Sequence, residues 1–348
     1  MPSLPPLPTD DLDHVLAHTR DLWEELRGQR LFITGGTGFF GMWLLESFAH
    51  ANTQLLLRAE VTVLTRNPEA FALKAPHLAN RSDLHFVRGD VRNFAFPPGE
   101  FPFVIHAGTT SGAPVEPLEM FETIVDGTRR GLEFAATHGT RKLLFVSSGA
   151  VYGRQPSDVT HVPEDYPGAP DPLDPASAYG AGKRAAELLC VLSGKKDGFE
   201  VKIARCFAFV GPHLPLDSHF AIGNFIRDAI QGGPIGVGGD GTPYRSYLYA
   251  ADLAIWLWTI LLCGQSGRAY NLGSDHGIPI AEVADRVAHA VTPPLLINIA
   301  KQASPDRPAE RYVPMIHRAH TELALCEFIG LNEAVQRTIL WCRSQNRN

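Results

Sequence analysis

The sequence predicts an α/β protein with a doubly wound parallel sheet and a smaller lobe towards the C-terminus. Three observations predict this fold. Short apolar strands alternate with helical segments over most of the 348 residues, and a glycine-rich turn follows the first strand. Stretches rich in Gly, Pro and His interrupt the alternation later in the chain. Alternating strands and helices build a parallel sheet through right-handed crossovers, and the interruptions add a lobe at its carboxyl edge.

The glycine-rich turn is the most informative stretch. Residues 31–33 predict a short buried strand, and residues 42–51 predict a helix. Between them, Gly35, Gly38 and Gly41 recur at every third position. Gly35 permits a tight turn, Gly38 lets a phosphate approach the backbone, and Gly41 lets the helix lie close to the strand.

A strand that turns into a helix through glycines directs backbone N–H groups and the positive helix end to one point. That arrangement binds a pyrophosphate, so the turn predicts a bound dinucleotide. The residues of the turn expected to contact it are Gly35, Thr37, Gly38, Phe39, Phe40 and Gly41.

The other elements follow in order. An amphipathic helix over residues 10–27 precedes the first strand, and we expect it to lie against that strand's edge. Further helices are predicted at 116–138 and 176–193. The further strands are predicted at 61–65, 84–88, 103–106, 142–147, 200–206 and 269–272.

This order predicts the domains. Residues 1–28 form an N-terminal extension and helix, and a dinucleotide-binding domain spans 29–206 together with 249–273. Residues 207–248 and 274–348 form a lobe that binds the substrate.

Composition excludes several classes of protein. The net charge of −6 and the pI near 6.2 leave no basic stripe, which argues against nucleic acid and acidic membranes as partners. Five scattered cysteines without paired spacing are typical of reduced thiols in a cytosolic protein. The N-terminus does not resemble a signal peptide, and the longest apolar run, 253–263, is too short to cross a bilayer. We therefore expect a cytoplasmic protein.

Tyr179 and Lys183 form the second informative pattern. Asp174 and Pro175 predict a helix start just before them, and a step of four residues puts Tyr179 and Lys183 on one helical face. An ammonium near a phenol lowers the phenol's pKa. Tyr179 is therefore a candidate general acid or base.

Ser147 and Ser148 end the fifth strand, in the stretch Val-Ser-Ser-Gly-Ala-Val-Tyr-Gly at 146–153. Ligands of doubly wound sheets bind at the carboxyl ends of the strands. We expect a serine hydroxyl there to hydrogen-bond a substrate oxygen. The alternative is that both serines are ordinary turn residues.

With these motifs, the chain resembles an extended short-chain dehydrogenase/reductase of the NAD-dependent epimerase/dehydratase family. The resemblance implies a Rossmann-type fold and an enzyme that acts on nucleotide-linked sugars. It runs from about residue 29 to the C-terminus. The motifs that carry it, in family order, are 34–41, 89–91, 104–107, 146–153, Tyr179 with Lys183, 205–212, 239–245 and Asp252.

The resemblance implies catalytic roles by position. Ser148 would hold the sugar oxygen, Tyr179 would move the proton, and Lys183 would hold the nicotinamide ribose and tune Tyr179.

The resemblance also implies binding residues. Asp90 would contact the adenine, and Val91 and Ala107 would line the cofactor site. Arg245 would grip the nucleotide diphosphate, unless it is only a solvated loop charge. The residues implied at the substrate are Ser147, Ser148, Ala208, His219 and Arg245.

Two departures from the family pattern narrow the expected chemistry. Family 4,6-dehydratases carry an Asp-Glu pair directly after the catalytic hydroxyl residue, and family decarboxylases usually keep the glutamate. Here Gly149 and Ala150 stand at those positions and cannot transfer protons. Hydride and proton transfer alone remain, as in 4-epimerisation or the reduction of a 4-keto sugar. Ala208 replaces a common asparagine, so we expect the substrate diphosphate to be held differently.

The end of the second strand bears on the cofactor. NAD-selective members place an acidic residue there, whereas this chain has Thr65, Arg66 and Asn67. A guanidinium without an acidic neighbour suits a 2′-phosphate, so the pattern favours NADP over NAD. The alternative is a surface arginine. NADPH would in turn favour ketoreduction, because family epimerases usually retain NAD.

Two other functions stay open. A 4,6-dehydratase would need another residue in place of the missing carboxylates. A non-catalytic NADP-binding sensor or scaffold would keep the fold without turnover.

The resemblance implies a homodimer, formed through the helices near 116–138 and 176–193. No metal is expected, because the loop histidines lack the spacing of metal ligands. We interpret these histidines as loop residues that meet the sugar: His213, His219, His276 and His317.

Overall fold

The structure, a computed structural model, describes residues 3–108, 115–218, 220–304, 306 and 308–345. His219, expected at the substrate, lies outside the described residues. The chain divides into two compact units. The first unit comprises Met1–Gly153, Pro167–Cys206 and Ala254–Tyr270, and the second comprises Arg154–Tyr166, Phe207–Leu253 and Asn271–Asn348.

Every strand predicted from the sequence is present, together with short additional ones. The strands are β1 (Arg30–Thr34), β2 (Glu60–Thr65), β3 (Leu84–Arg88), β4 (Phe103–His106), β5 (Lys142–Ser148), β6 (Glu200–Cys206), β7 (Phe209–Val210), β8 (Ile235–Val237), β9 (Tyr244–Arg245), β10 (Leu248–Tyr249), β11 (Arg268–Leu272), β12 (Ile278–Pro279), β13 (Ile297–Ile299) and β14 (Arg311–Tyr312).

Helices separate most of these strands. They are α1 (Thr9–Thr19), α2 (Phe39–Leu55), α3 (Pro68–Lys74), α4 (Pro76–Ala79), α5 (Pro117–Thr137), α6 (Ala178–Asp197), α7 (Ala221–Gln231), α8 (Ala250–Cys263), α9 (Ile280–His289), α10 (His317–Leu323) and α11 (Leu331–Gln345). Short 3-10 segments lie at Arg20–Leu26, Gly149–Tyr152 and Pro175–Ser177.

The large sheet has seven strands in the order β11-β6-β5-β4-β1-β2-β3. The strands from β1 to β6 pair in parallel. The strand order reverses between β1 and β4, which is the switch point where doubly wound sheets bind ligands. The predicted doubly wound parallel fold is confirmed.

An aromatic cluster packs one face of this sheet against α5. The ring of Phe32 in β1 lies 4.3 Å from that of Phe134 in α5 and 5.5 Å from that of Phe94, measured between centroids. All three side chains are buried, as is Phe101 beside them. Their burial holds β1, and with it the glycine turn, at a fixed place in the sheet.

The N-terminal helix packs on α2. The predicted packing on the edge of β1 is wrong. β1 lies inside the sheet between β4 and β2, so it has no free edge. The Leu7 backbone N–H donates to Glu46 of α2 at 2.7 Å. Trp23, in the 3-10 segment that continues α1, packs its ring on Phe48 and Trp258. The extension therefore belongs to the core of the first unit.

Over its described residues, the second unit contains three small sheets, formed by β7 with β10, β8 with β13, and β9 with β12 and β14. Residues 154–166, which we expected in the dinucleotide-binding domain, fall in this unit. The Val162 N–H donates to the Val313 carbonyl at 2.9 Å, and Glu164 accepts from the Asn271 N–H at 3.0 Å. These long-range bonds fix the segment to the second unit.

Among the described residues, none of the helices has both the length and the apolar character needed to cross a membrane.

We expect Trp23→Ala to lower the free energy of unfolding by about 3–5 kcal/mol, because it leaves a cavity in an aromatic core. It also removes the hydrogen bond from the indole Nε1 to Thr19 Oγ1. Leu73→Ala, at an exposed site on α3, is the control and should change stability by less than about 0.5 kcal/mol. Urea denaturation measures both. Equal stability of the two variants would show that the extension does not unfold with the sheet.

Candidate active site

The glycine turn between β1 and α2 has the geometry of an anion cradle. Gly35 has φ +75°, and a Cβ there would lie 2.5 Å from the Ala107 carbonyl oxygen. A Cβ at Gly41 would lie 2.2 Å from the carbonyl carbon of Gly36, so α2 starts against the backbone of the turn. At Gly38, the N-cap of α2, the atom nearest to a Cβ is 3.6 Å away. The turn can therefore admit a phosphate at Gly38, facing the helix N-terminus.

Thr37, Phe39 and Phe40 lie in the same turn and first helical residues, as expected. Lys74 of α3, which sequence reasoning missed, donates its Nζ to the Thr37 carbonyl oxygen at 3.2 Å. Burial lowers the pKa of Lys74, so the ammonium is partly desolvated there. A cation in this position adds to the positive potential that a pyrophosphate would meet.

At the adenosine end of the expected cofactor site, several arginines and carboxylates lie close together that are separated in the sequence. Arg66 is exposed, and its carbonyl accepts from Arg88, which pairs with Glu69. Arg92 binds the Asp90 carboxylate at 2.9 and 3.0 Å. The Arg92 hydrogen bond is the main cause of a lowered pKa of Asp90, and the charge of Arg66 adds to it. Arg66 therefore has an acidic neighbour in space, which corrects the expectation that it had none.

Ser148, Tyr179 and Lys183 come together at the carboxyl end of β5. Asp174 caps the 3-10 turn that leads into α6, and Tyr179 is the second residue of that helix. The Tyr179 phenol is hydrogen-bonded to Ser148. Lys183, one turn further along α6, donates its Nζ to the Val146 carbonyl oxygen at 2.8 Å.

The expected lowering of the Tyr179 pKa is wrong for this structure. Burial raises the pKa of Tyr179 above its usual value, and the hydrogen bond from Ser148 only partly opposes that effect. Burial also lowers the pKa of Lys183 to about 8. The sequence spacing identified the pair, but it could not show how far both groups are removed from water.

Ser147, which we expect at the substrate, has a structural partner within the chain. Its hydroxyl is buried and donates to Glu187 of α6 at 2.6 Å. Glu187 also accepts from Arg205 of β6, and Arg205 donates to the Tyr152 hydroxyl at 2.8 Å. The two adjacent serines therefore have different contacts, and only Ser148 lies beside Tyr179.

His106, at the end of β4, links β1 to α5 through the two nitrogens of its ring. Its Nδ1 lies 2.8 Å from Thr34 Oγ1, and its Nε2 lies 3.1 Å from Thr128 Oγ1. The same Thr34 hydroxyl accepts from the Gly108 N–H. Burial lowers the pKa of His106 to about 3, so the ring is neutral near pH 7. His106 thus fixes the backbone of Ala107, which is expected at the dinucleotide.

Val91, also expected in the cofactor site, lies against Gly108 and Gly127. A Cβ at Gly127 would be 2.8 Å from Val91 Cγ1, and one at Gly108 would be 3.2 Å from Val91 Cγ2.

The second unit holds the remaining residues expected at the substrate. Arg245 donates to the Tyr244 carbonyl oxygen at 2.8 Å and lies 6.0 Å from the centroid of the Tyr312 ring. The Ala208 carbonyl accepts from the Leu248 N–H, which joins β7 to β10. Within the described ranges, His, Cys, Asp and Glu side chains form no cluster of three that could hold a metal ion.

Fold and site together place the protein among the dinucleotide-binding α/β proteins. It belongs to the NAD dependent epimerase/dehydratase family, whose family model matches residues 31–273. The family and the fold that the motifs predicted are both confirmed.

Curated relatives match over nearly the whole chain. UDP-glucuronic acid decarboxylase 1 of Xenopus tropicalis is 28% identical over 321 residues, which cover 91% of this chain and 73% of the relative. UDP-glucuronic acid decarboxylase 1 of Arabidopsis thaliana is 30% identical over 316 residues, which cover 89% of this chain and 69% of the relative.

Solved structures share the fold at lower identity. DesIV, a dTDP-glucose 4,6-dehydratase from Streptomyces venezuelae solved with NAD and TYD, has a TM-score of 0.75 at 22% identity, covering 92% of this chain and 98% of DesIV. UDP-glucose 4-epimerase from Thermotoga maritima has a TM-score of 0.71 at 18% identity, covering 91% of this chain and all of the epimerase chain (100%).

Gly41→Ala and Gly38→Ala test the cradle as a matched pair. We expect Gly41→Ala to lower the free energy of unfolding by about 1–3 kcal/mol, because its Cβ overlaps the Gly36 backbone. Gly38→Ala should fold with little change but lose dinucleotide binding, since its methyl group fills the phosphate approach. Thermal unfolding and fluorescence titration with NADH and NADPH separate these effects. Undiminished binding by Gly38→Ala would mean that the phosphate lies elsewhere.

Proposed function

We propose that the protein is an NAD(P)-dependent epimerase or oxidoreductase of nucleotide-linked sugars, which transfers a hydride and a proton at a hydroxyl or keto carbon such as C4. The observation that carries the proposal is the Ser148–Tyr179 hydrogen bond beside the buried Lys183 at the carboxyl end of β5. Membership of the family and the open approach to Gly38 support a bound dinucleotide.

Each residue of the site has a separate role in the proposed reaction. A dinucleotide whose pyrophosphate is bound at the glycine turn would supply a nicotinamide as hydride acceptor or donor. Tyr179 takes the proton from the sugar hydroxyl in the oxidative direction and returns it to the keto oxygen in the reductive direction. Ser148 holds that oxygen with its hydroxyl, and the Lys183 ammonium favours the ionised phenol when the proton leaves.

The turn after Ser148 supports hydride and proton transfer over elimination of water. Gly149 and Ala150 occupy the 3-10 segment Gly149–Tyr152, and neither carries a group that can donate or accept a proton from a sugar carbon. Loss of water would need a separate acid and base, so a 4,6-dehydratase would have to recruit them from elsewhere.

Decarboxylation of a nucleotide-linked uronic acid is the second candidate. The missing carboxylate after Ser148 disfavours this reaction, whereas the curated relatives are named UDP-glucuronic acid decarboxylases. Oxidation at C4 of a uronic acid gives a β-keto acid, and the loss of CO2 from it needs no acid in the turn after Ser148. The enolate that remains takes a proton at C5 from water before the hydride returns to C4. The same Tyr179 site could therefore start this reaction.

The cofactor preference is part of the proposal. Arg66 at the end of β2 favours the 2′-phosphate of NADP, although the nearby Asp90 offsets some of its charge. The family description names NAD. We therefore propose NADP or NAD, with NADP favoured by Arg66.

A cytoplasmic location and the absence of nucleic-acid and membrane partners stay predictions from composition and charge.

Turnover of defined nucleotide sugars tests the function. We expect NMR of the products to show a 4-epimer or a reduced 4-keto sugar, formed with NAD(H) or NADP(H), and Tyr179→Phe to lower kcat by about 10²–10⁴-fold. Release of CO2 and a pentose product from UDP-glucuronic acid would establish the decarboxylase instead. A 4-keto-6-deoxy product would establish a dehydratase. Tight dinucleotide binding without any turnover, unchanged in Tyr179→Phe, would identify a sensor or scaffold.

A homodimer is also proposed, through α5 and α6. Leu118 of α5 and Leu188 and Leu192 of α6 are large apolar side chains that the single chain leaves exposed. We expect sedimentation equilibrium to give twice the chain mass, and Leu188→Glu with Leu192→Glu to give a monomer. Leu56, also exposed, is the C-cap of α2, outside this surface, so the control variant Leu56→Glu should stay dimeric. A monomeric wild-type protein would contradict the proposal.

A further inference from the structure

Glu187 continues the functional face of α6. Tyr179, Lys183 and Glu187 follow at steps of four residues, so they line one side of the helix. Lys183 is 2% exposed and Glu187 is 7% exposed. A glutamate this deeply buried needs partners that replace water at both oxygens.

Arg205 and Ser147 supply those partners. Arg205 Nη2 donates to Glu187 Oε2 at 2.7 Å, and Arg205 Nε donates to Glu187 Oε1 at 3.0 Å. Ser147 Oγ donates to Oε1 at 2.6 Å. The two-point contact with the guanidinium fixes the orientation of the carboxylate as well as its charge.

This group of residues holds the backbone on both sides of Ser148. Ser147 precedes Ser148 in β5, and Tyr152, which accepts from Arg205 Nη1 at 2.8 Å, ends the 3-10 turn that follows it. Through Arg205 the group also includes β6. Two strands, one turn and α6 are thus joined at a single carboxylate.

Glu187 also differs in charge from the other ionisable groups that face Lys183. His106 from β4 is neutral near pH 7, because burial lowers its pKa to about 3. Burial raises the pKa of Cys206 of β6 to about 12, and that of Cys190 of α6 is raised as well, so both thiols are neutral. Among the described groups whose charges act on Lys183, Glu187 is the carboxylate, and it also pairs with the Arg205 guanidinium at 2.7 Å.

We propose that Glu187 is a positioning residue of the Ser148–Tyr179–Lys183 site, which anchors Ser147 and Arg205 and supplies the buried negative charge that keeps the Lys183 ammonium protonated. Its place in catalysis rests on the proposed function at Tyr179. Its effect on the charge of Lys183 does not, and that effect can be measured without turnover.

The effect of the Glu187 charge on Lys183 is measured by titrating Lys183 itself. Protein labelled with 13C at lysine Cε is titrated by NMR, and Lys183→Met assigns the signal. We expect Glu187→Gln to lower the titration midpoint of Lys183 by about one pH unit, because the ammonium loses its buried counter-charge. Glu133→Gln, which removes an exposed partner of Arg130 on α5, is the matched control and should leave the midpoint unchanged. An unchanged midpoint in Glu187→Gln overturns the proposal.

Ser147→Ala separates charge from packing. It removes the hydroxyl that donates to Glu187 but keeps the carboxylate, so the Lys183 midpoint should stay at its wild-type value while kcat falls. A shift of the midpoint in Ser147→Ala as large as that in Glu187→Gln would assign the effect to packing and overturn the proposed role of the charge.

Turnover then tests the positioning role. In Glu187→Gln we expect the alkaline limb of the kcat profile to move to lower pH by the same amount as the Lys183 midpoint. Glu187→Asp keeps the charge and should restore the wild-type limb with a reduced kcat. An alkaline limb that stays in place in Glu187→Gln contradicts the proposal.

Two outcomes remain informative if a variant or the reaction fails. If Glu187→Gln does not fold, Glu187→Asp decides alone: a wild-type Lys183 midpoint with a lower kcat supports the proposal, and an unchanged kcat opposes it. If the wild-type protein turns over no nucleotide sugar, the proposed function fails, whereas the Lys183 titration still decides whether Glu187 controls its charge.

Discussion

Burial of the Lys183 ammonium is the constraint on which the rest of the site depends. A charged amine taken out of water is unstable unless other groups replace its hydration. Lys183 finds a replacement in the Val146 carbonyl, 2.8 Å from Nζ, and in the Phe145 ring, whose centroid is 5.0 Å away. Both come from β5, so α6 cannot slide along the sheet without separating the charge from its partners. The position of Tyr179 beside Ser148 follows from this fixed alignment of α6 along β5.

The same burial sets the protonation of the resting site. A phenol whose pKa is raised is neutral near pH 7, so Tyr179 holds a proton that it can give to a keto oxygen. In the proposed oxidative direction that proton has to leave, and the hydrogen bond from Ser148 favours its departure. His106, neutral because it is buried, stabilises the adjacent backbone without adding a second positive charge.

The sequence predicted the features that depend on local patterns. The strands of the large sheet, the glycine turn and the spacing of Tyr179 and Lys183 each occupy a short stretch, and apolar periodicity or glycine spacing identifies them. The errors concern groups whose neighbours come from distant parts of the chain. The partner of Ser147 lies forty positions away in α6, and the carboxylate near Arg66 belongs to the end of another strand. Glu187 did have a local signal, since it repeats the four-residue step of α6, but only its contacts show that it is buried.

Close contact between α6 and the turn after β5 positions Ser148 and Tyr179, although the turn carries no carboxylate. A Cβ at Gly180 would lie 2.5 Å from the Ala150 carbonyl oxygen, so only glycine lets the start of α6 approach the turn this closely. The Ala150 N–H donates to Ser148 Oγ at 3.1 Å, which fixes the hydroxyl in front of Tyr179. These backbone contacts therefore organise the proton-transfer pair without an acidic side chain in the turn itself. With the turn unable to donate a proton, loss of water has no support from Gly149 or Ala150. Under the proposed function, epimerisation and ketoreduction exchange their proton with Tyr179, and loss of CO2 from a keto acid leaves an enolate that water can protonate, so none of the three needs an acid in the turn. What separates these three reactions is then the sugar itself: whether it carries a carboxylate beside the oxidised carbon, and whether the keto form can turn over before the hydride returns.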